Sequence, residues 1–123
     1  MDVLGIRWVG VATTEYAAMR TFLCDVLGLH VRFEESTTVE LETSAGDRVQ
    51  LLGPGDPYFD VFSRLARGPV PLFEVADLDT AVAELRAAGT ELLGPLGQDA
   101  EWEWVHVRAP DGHMYELGAR RRS

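Results

Sequence analysis

Ala45-Gly46-Asp47-Arg48-Val49-Gln50-Leu51 and Asp111-Gly112-His113-Met114-Tyr115-Glu116-Leu117 are two renderings of one phrase, a glycine turn running into a short strand. Outward from them the likeness continues. Residues Trp8 to Gly53 run strand, helix ending in glycine, strands; residues Val70 to Ala119 run the same order. Superposition pairs Glu15 with Asp77, Leu23 with Leu85, Gly28 with Gly89, Gly46 with Gly112, Gln50 with Glu116 and Leu51 with Leu117. The offset starts near 62 residues and grows to 66, so the two copies have diverged. A supersecondary unit copied once implies two modules facing each other, with a ligand cleft between their sheets.

Element by element, Ile6 to Thr13 reads as a strand. Thr14 is placed to cap a helix in which Tyr16, Met19, Leu23, Val26 and Leu27 form the apolar stripe and Gly28 is the stop. His30 to Glu34, Thr37 to Thr43 and Asp47 to Leu52 read as strands. Gly53-Pro54-Gly55-Asp56-Pro57 breaks regular structure, and Tyr58 to Ala66 reads as a short linking helix whose Tyr58, Phe59, Phe62 and Leu65 are expected to pack on the domain or on a partner chain. The second module opens with a strand at Pro69 to Val75. Asp77 then caps a helix lined by Leu78, Ala81, Val82, Leu85 and Ala88, which Gly89 closes. Glu91 to Leu93, Trp102 to Arg108 and Met114 to Leu117 complete it, with Pro110-Asp111-Gly112 as the last turn. The fold class expected is α+β: two βαβββ modules in tandem forming a curled mixed sheet around a cleft, helices outside. Module 1 covers about residues 5–54, the linker about 55–68 and module 2 about 69–119 of a single 123-residue domain.

Strand alternation assigns faces. Trp102, Trp104, His106, Arg108, Met114 and Glu116, with Arg48, Gln50 and Leu52, are the residues expected to line the cleft. Their neighbours Val105, Val107, Val49 and Leu51 are apolar and suit the face beneath the helices. Two readings of the three tryptophans stand: they line a cleft for a flat aromatic or cationic ligand, or they fill a core. An internal ion pair of Glu116 with Arg48 or Arg108 belongs to the second reading.

The formal charge is −9, from 20 acids against 11 bases, all of them arginine. That balance disfavours phosphate binding, so no nucleic acid partner is expected. No apolar run approaches the roughly 20 residues of a membrane span, and no membrane partner is expected. One cysteine, Cys24, and no signal-peptide pattern at the N-terminus fit a reducing cytoplasm.

Val26-Leu27-Gly28-Leu29, the stretch Phe73-Glu74-Val75-Ala76-Asp77-Leu78-Asp79 and the ending Ala109-Pro110-Asp111-Gly112-His113-Met114-Tyr115-Glu116-Leu117 together resemble the vicinal oxygen chelate superfamily. That group includes glyoxalase I, bleomycin resistance proteins, fosfomycin resistance thiol transferases and extradiol dioxygenases. The resemblance implies a divalent metal held by one residue from each of four strands. Carried over by position, those places are Trp8, Gln50, Val70 and Glu116, so the resemblance also puts Trp8 and Val70 in the ligand-binding cleft. Glu116 is a strong ligand, Gln50 a weak neutral one, and Trp8 and Val70 offer no lone pair. Two oxygen ligands are too few for tight binding of zinc, nickel or iron, so no cofactor is expected.

Of the histidines, His30 reads as a strand-edge residue and His113 as solvent-exposed in its turn. His106 lies ten residues before Glu116, where the transferases carry a cleft tyrosine. It is either an acid–base group or a hydrogen-bonding residue of a filled interior. The leading expectation is a metal-independent small-molecule binding protein, similar in mode to the bleomycin resistance proteins and homodimeric. Its ligand is a small organic molecule, aromatic or cationic. The alternative is a glyoxalase- or dioxygenase-like enzyme using a divalent metal or the His106/Glu116 pair, and the third is an interaction module without a small ligand.

Overall fold

The computed structural model describes residues 1–122. The chain forms two compact units: residues 8–70, and residues 1–7 together with 71–122. The first of the expected strands thus divides between them, its opening residues belonging with the second module.

In the unit of residues 8–70, β1 (Val3–Ala12) contributes its second half, followed by α1 (Tyr16–Thr21), β2 (His30–Glu34), β3 (Thr38–Glu42), β4 (Arg48–Leu52) and α2 (Phe59–Leu65). The strands lie in the order β2, β3, β4, β1. β1 runs parallel to β4, and the other pairs are antiparallel. Odd-numbered residues Val39, Leu41 and Leu51 are buried with Leu23, and Val11, Val49, Tyr16 and Met19 pack against them. This is the face beneath α1, as alternation requires.

The first helix departs from expectation in two ways. Glu15, not Thr14, is its N-cap, and no side chain caps it. The hydroxyl of Thr13 accepts from the Glu15 N–H instead, at 3.0 Å. After Thr21 the helix widens into a π turn over Phe22–Val26, where Leu27 N–H donates to Phe22 O at 3.0 Å. One extra residue in a turn rotates the residues after it by about 100° around the axis. Leu23 stays on the sheet, but Val26 and Leu27, expected on the same stripe, are 68% and 55% exposed.

The other unit holds the start of β1 with β5 (Val70–Val75) from Pro71 on, α3 (Leu78–Ala87), β6 (Glu91–Leu92), β7 (Gly97–Gln98), β8 (Trp102–Arg108) and β9 (Met114–Arg120). The strands run β5, β9, β8, β6, with β7 beside β6 along the same edge of β8. β5 and β9 are parallel and the rest antiparallel, so this sheet too is mixed. The strand at Gly97–Gln98 was not expected. Asp77 does cap α3: its carboxylate accepts from Asp79 N–H at 3.2 Å and from the Thr80 hydroxyl at 2.7 Å. Leu78, Ala81 and Val82 of α3 pack on Val75, Val105, Val107, Leu117 and Ala119. Again the residues beneath the helix are the odd-numbered ones.

Each sheet therefore has one face under its own helix and an opposite face of even-numbered residues. Leu41, fully buried under α1, tests this arrangement. Leu41→Ala is expected to cost about 2–5 kcal/mol in chemical denaturation. A loss under about 1 kcal/mol would mean that this face is not the packed one.

Candidate functional site

In the unit of residues 71–122 and 1–7, the even face gathers the two residues singled out as candidate acid–base groups. His106 and Glu116 are register partners on β8 and β9. His106 Nε2 lies 2.6 Å from Glu116 Oε1, and the two residues are only 8% and 5% exposed. With Glu116 as a carboxylate the imidazole N–H donates; with the proton on the acid, the carboxyl O–H donates to Nε2. Either way one proton holds the pair together. Burial pushes the Glu116 carboxyl above the ordinary carboxylate range, and the hydrogen bond and charge of His106 act against that rise. The expected pair of Glu116 with Arg108 is not what forms. Arg108 donates to Glu91 Oε2 at 2.6 Å and to Gly112 O at 3.2 Å, while Arg48 faces Glu40 at 3.4 Å. Each arginine finds a carboxylate nearer the solvent, where a charge pair keeps part of its hydration.

Around this pair stand the two tryptophans of β8. Trp102 lies opposite Arg120, whose guanidinium carbon sits 4.7 Å from the ring centroid. Arg120 also approaches Glu74 at 3.4 Å, and Arg7 Nε donates to the other oxygen of that buried carboxylate at 2.8 Å. Trp104 is half-buried and lies between two glycines, Gly97 on β7 and Gly118 on β9. Its indole crosses Gly97: a Cβ built there would meet Trp104 Nε1 at 2.3 Å. Met114, opposite Arg108, is fully buried.

In the unit of residues 8–70 the even face is tied up internally. Trp8 Nε1 donates to Gln50 Oε1 at 3.2 Å, Gln50 Nε2 donates to Thr38 Oγ1 at 2.9 Å, and that hydroxyl donates to Leu51 O at 2.7 Å. The Trp8 ring lies over Gly10, where a Cβ would come within 2.1 Å of it, and meets Phe62 edge-on with centroids 6.0 Å apart. Thr38 was not among the residues anticipated. Phe62, one of the linker residues expected to pack on the domain or on a partner chain, packs on this sheet face. Val70 is fully buried.

The four places where the resemblance puts metal ligands are occupied as follows. Trp8 is a donor directed at Gln50; the Gln50 amide is engaged at both ends; Val70 has no coordinating atom; Glu116 is bound to His106. This donor set does not fit a divalent transition metal. Among the described residues no group of three or more His, Cys, Asp or Glu side chains could hold one. Of the remaining histidines, His30 is exposed on β2 as expected. His113 is not: it is half-buried, its ring 5.3 Å from that of Tyr115, because the turn folds it against its strand neighbour.

The raised Glu116 makes stability depend on pH. A carboxyl whose folded-state pKa is raised contributes most to stability below its unfolded pKa, and that contribution is lost as pH rises through the folded value. The Glu116→Gln variant keeps an acceptor for His106 without the charge. Its stability relative to the wild type is expected to improve as pH climbs through and above the ordinary carboxylate range, measured by urea denaturation across pH. A difference independent of pH would show that Glu116 bears no burial penalty.

Comparison with known proteins agrees with this architecture. Among solved structures, methylmalonyl-CoA epimerase from Mycobacterium tuberculosis is 21% identical with a TM-score of 0.75, covering 98% of this chain and 90% of its own. A methylmalonyl-CoA epimerase from Streptomyces coelicolor in complex with 2-nitronate-propionyl-CoA is 20% identical with a TM-score of 0.72, covering 98% and 100%. A variant of homoprotocatechuate 2,3-dioxygenase from Brevibacterium fuscum is 23% identical with a TM-score of 0.72, covering 98% of this chain and 33% of the dioxygenase. At these identities the likeness is one of fold. A search of curated proteins returns no match. The sequence pattern of the Glyoxalase/Bleomycin resistance protein/Dioxygenase superfamily matches residues 5–117, nearly the whole chain, and the protein belongs to that superfamily.

Proposed function

We propose that the protein binds a small organic molecule without a metal, on the sheet face that carries Trp104, His106 and Glu116. The observation that carries this reading is the fate of the four metal places. Trp8, Gln50 and Thr38 form a closed hydrogen-bond relay, and Glu116 is paired with His106. The side chains there satisfy one another. Trp104 differs: its indole N–H has no hydrogen-bond partner among the described residues, and the ring is half-buried.

Of the two ligand characters expected, aromatic is better supported than cationic. Glu116 already has His106, Glu74 has Arg7 and Arg120, and Trp102 has the Arg120 guanidinium over its ring. A ligand cation would have to displace an internal partner at each; an aromatic plane needs only Trp104. This resembles sequestration of the bleomycin resistance kind. The residues carry no step through a metal.

A second reading has its own observation. A buried His–Glu pair at 2.6 Å, with the carboxyl raised by burial, has the form of a metal-free acid–base device. Chemical turnover of a bound compound, abolished by both His106→Gln and Glu116→Gln, would put catalysis first.

Titration of neutral and cationic aromatic compounds against intrinsic fluorescence tests the binding reading. Trp104→Ala is expected to weaken the best binder up to about tenfold, since an aromatic pair contributes about 0.5–1.5 kcal/mol beyond its buried area. Metal analysis should find far less than one equivalent of zinc, nickel or iron per chain after purification without added metal. Near-stoichiometric metal, lost on Glu116→Gln, would overturn the proposal.

We further propose a homodimer. Phe62 is 3% exposed and turned inward, whereas Tyr58 of the linker, 44% exposed, and Val3, Leu4 and Ile6 of β1, at 46–52% exposed, are candidate contacts. Sedimentation equilibrium at tens of micromolar should give twice the chain mass of 13.6 kDa. A monomer there would count decisively against this assembly.

A further inference from the structure

Resting on the binding proposal, we infer that Gly97 is a positioning residue for the ligand site: it seats the Trp104 indole so that its N–H is left to a hydrogen-bond acceptor on the ligand. Three observations converge. The first is steric. A Cβ at position 97 would lie 2.3, 2.5 and 2.8 Å from Nε1, Cε2 and Cζ2 of Trp104, closer than side chains pack. The indole therefore rests on bare backbone, and any side chain at 97 must lift it.

The second observation closes the other way out. Trp104 has glycine on both flanks, and the Gly118 side is taken. A Cβ at 118 would meet the two methyl carbons of Leu72 at 3.1 and 3.2 Å, so the Leu72 side chain already occupies that gap. Leu72 is itself only 6% exposed. An indole evicted from Gly97 has no matching place across β9 and must turn off the sheet.

The third is polar. In the other unit Trp8 also lies across a glycine, but its N–H donates to Gln50. Trp104 has no such internal acceptor among the described residues. Its nitrogen is not buried away from water, so in the free protein water takes the N–H, and a ligand that displaces this water must supply the acceptor. The ligand class is thereby narrowed to planar molecules with an acceptor at the ring edge, such as a ring nitrogen or a carbonyl.

Quinoline, naphthalene and N-methylquinolinium make a probe set of one shape: ring acceptor, no acceptor, and cation without acceptor. Binding is read from the indole N–H cross-peaks in a 15N correlation spectrum, with Trp104 assigned by its disappearance in Trp104→Phe. The wild type should bind quinoline at least tenfold more tightly than naphthalene, with the Trp104 N–H shifting most. Trp104→Phe should keep naphthalene binding and lose the preference. Gly97→Ala should move the Trp104 peak in the free protein and lower quinoline affinity by no more than Trp104→Ala does, up to about tenfold. In a Trp104→Ala background, adding Gly97→Ala should change nothing further, and that comparison stands even if Gly97→Ala alone does not fold. If Gly97→Ala leaves quinoline affinity intact while Trp104→Phe abolishes the preference, the inference fails and the binding proposal survives. An equal loss from Gly97→Ala in the Trp104→Ala background also sinks it, since Gly97 would then act other than through Trp104. If none of the three probes touches the wild type, the binding reading itself is overturned.

Discussion

Packing of α3 on the odd-numbered residues of β8 and β9 constrains everything on the opposite face. Val105, Val107, Leu117 and Ala119 are drawn under the helix because each removes apolar surface from water, at roughly 25 cal/mol per Å². With a side-chain period of two, Trp104, His106, Glu116 and Gly118 have no choice but the other side. A one-residue slip would bury His106 and Glu116 under α3 and expose four apolar residues. The polar pair is therefore held in place by contacts that none of its atoms makes.

That face carries more polar groups than a plain interior would tolerate, and each is satisfied in a particular way. Glu74 takes two arginines, Glu116 takes His106, and Trp102 takes the guanidinium of Arg120. Removing one partner from such a set costs more than the pair itself contributes, because the other charge is left without compensation. The relay from Trp8 through Gln50 to Thr38 obeys the same logic in neutral form. Within the superfamily's fold these side chains stand where the resemblance places metal ligands, and they bond to one another instead. A tryptophan in place of a ligand brings both bulk and a donor. The bulk is admitted by Gly10, and the donor is absorbed by Gln50.

Most of the architecture was legible from residue order, because it rests on local rules. Gly28 and Gly89 end helices with positive φ, Asp77 caps α3, and alternation on β8 and β9 separates the two faces. The repeat supplied the topology, since two copies of one pattern imply two like units. What local rules miss is visible at the first helix. The stripe Tyr16, Met19, Leu23, Val26, Leu27 is regular in sequence, yet a π turn removes its last two members from the sheet. β7 was missed for a similar reason: Gly97 looks like loop until one sees the indole that needs its bare Cα.

By itself the sequence determined the fold class, the sheet faces and the candidates Trp104, His106 and Glu116, because hydrophobic period and turn chemistry are written residue by residue. It did not determine partners. That Glu116 meets His106 rather than Arg108, that Gln50 is closed off by Trp8 and Thr38, and that Phe62 packs on Trp8 were decided by tertiary structure. The reason is physical: strand register brings together residues ten, twelve or forty-two positions apart, and which of several compatible donors reaches an acceptor depends on ångström-scale placement. Polarity can be read along a chain, whereas pairing has to be folded.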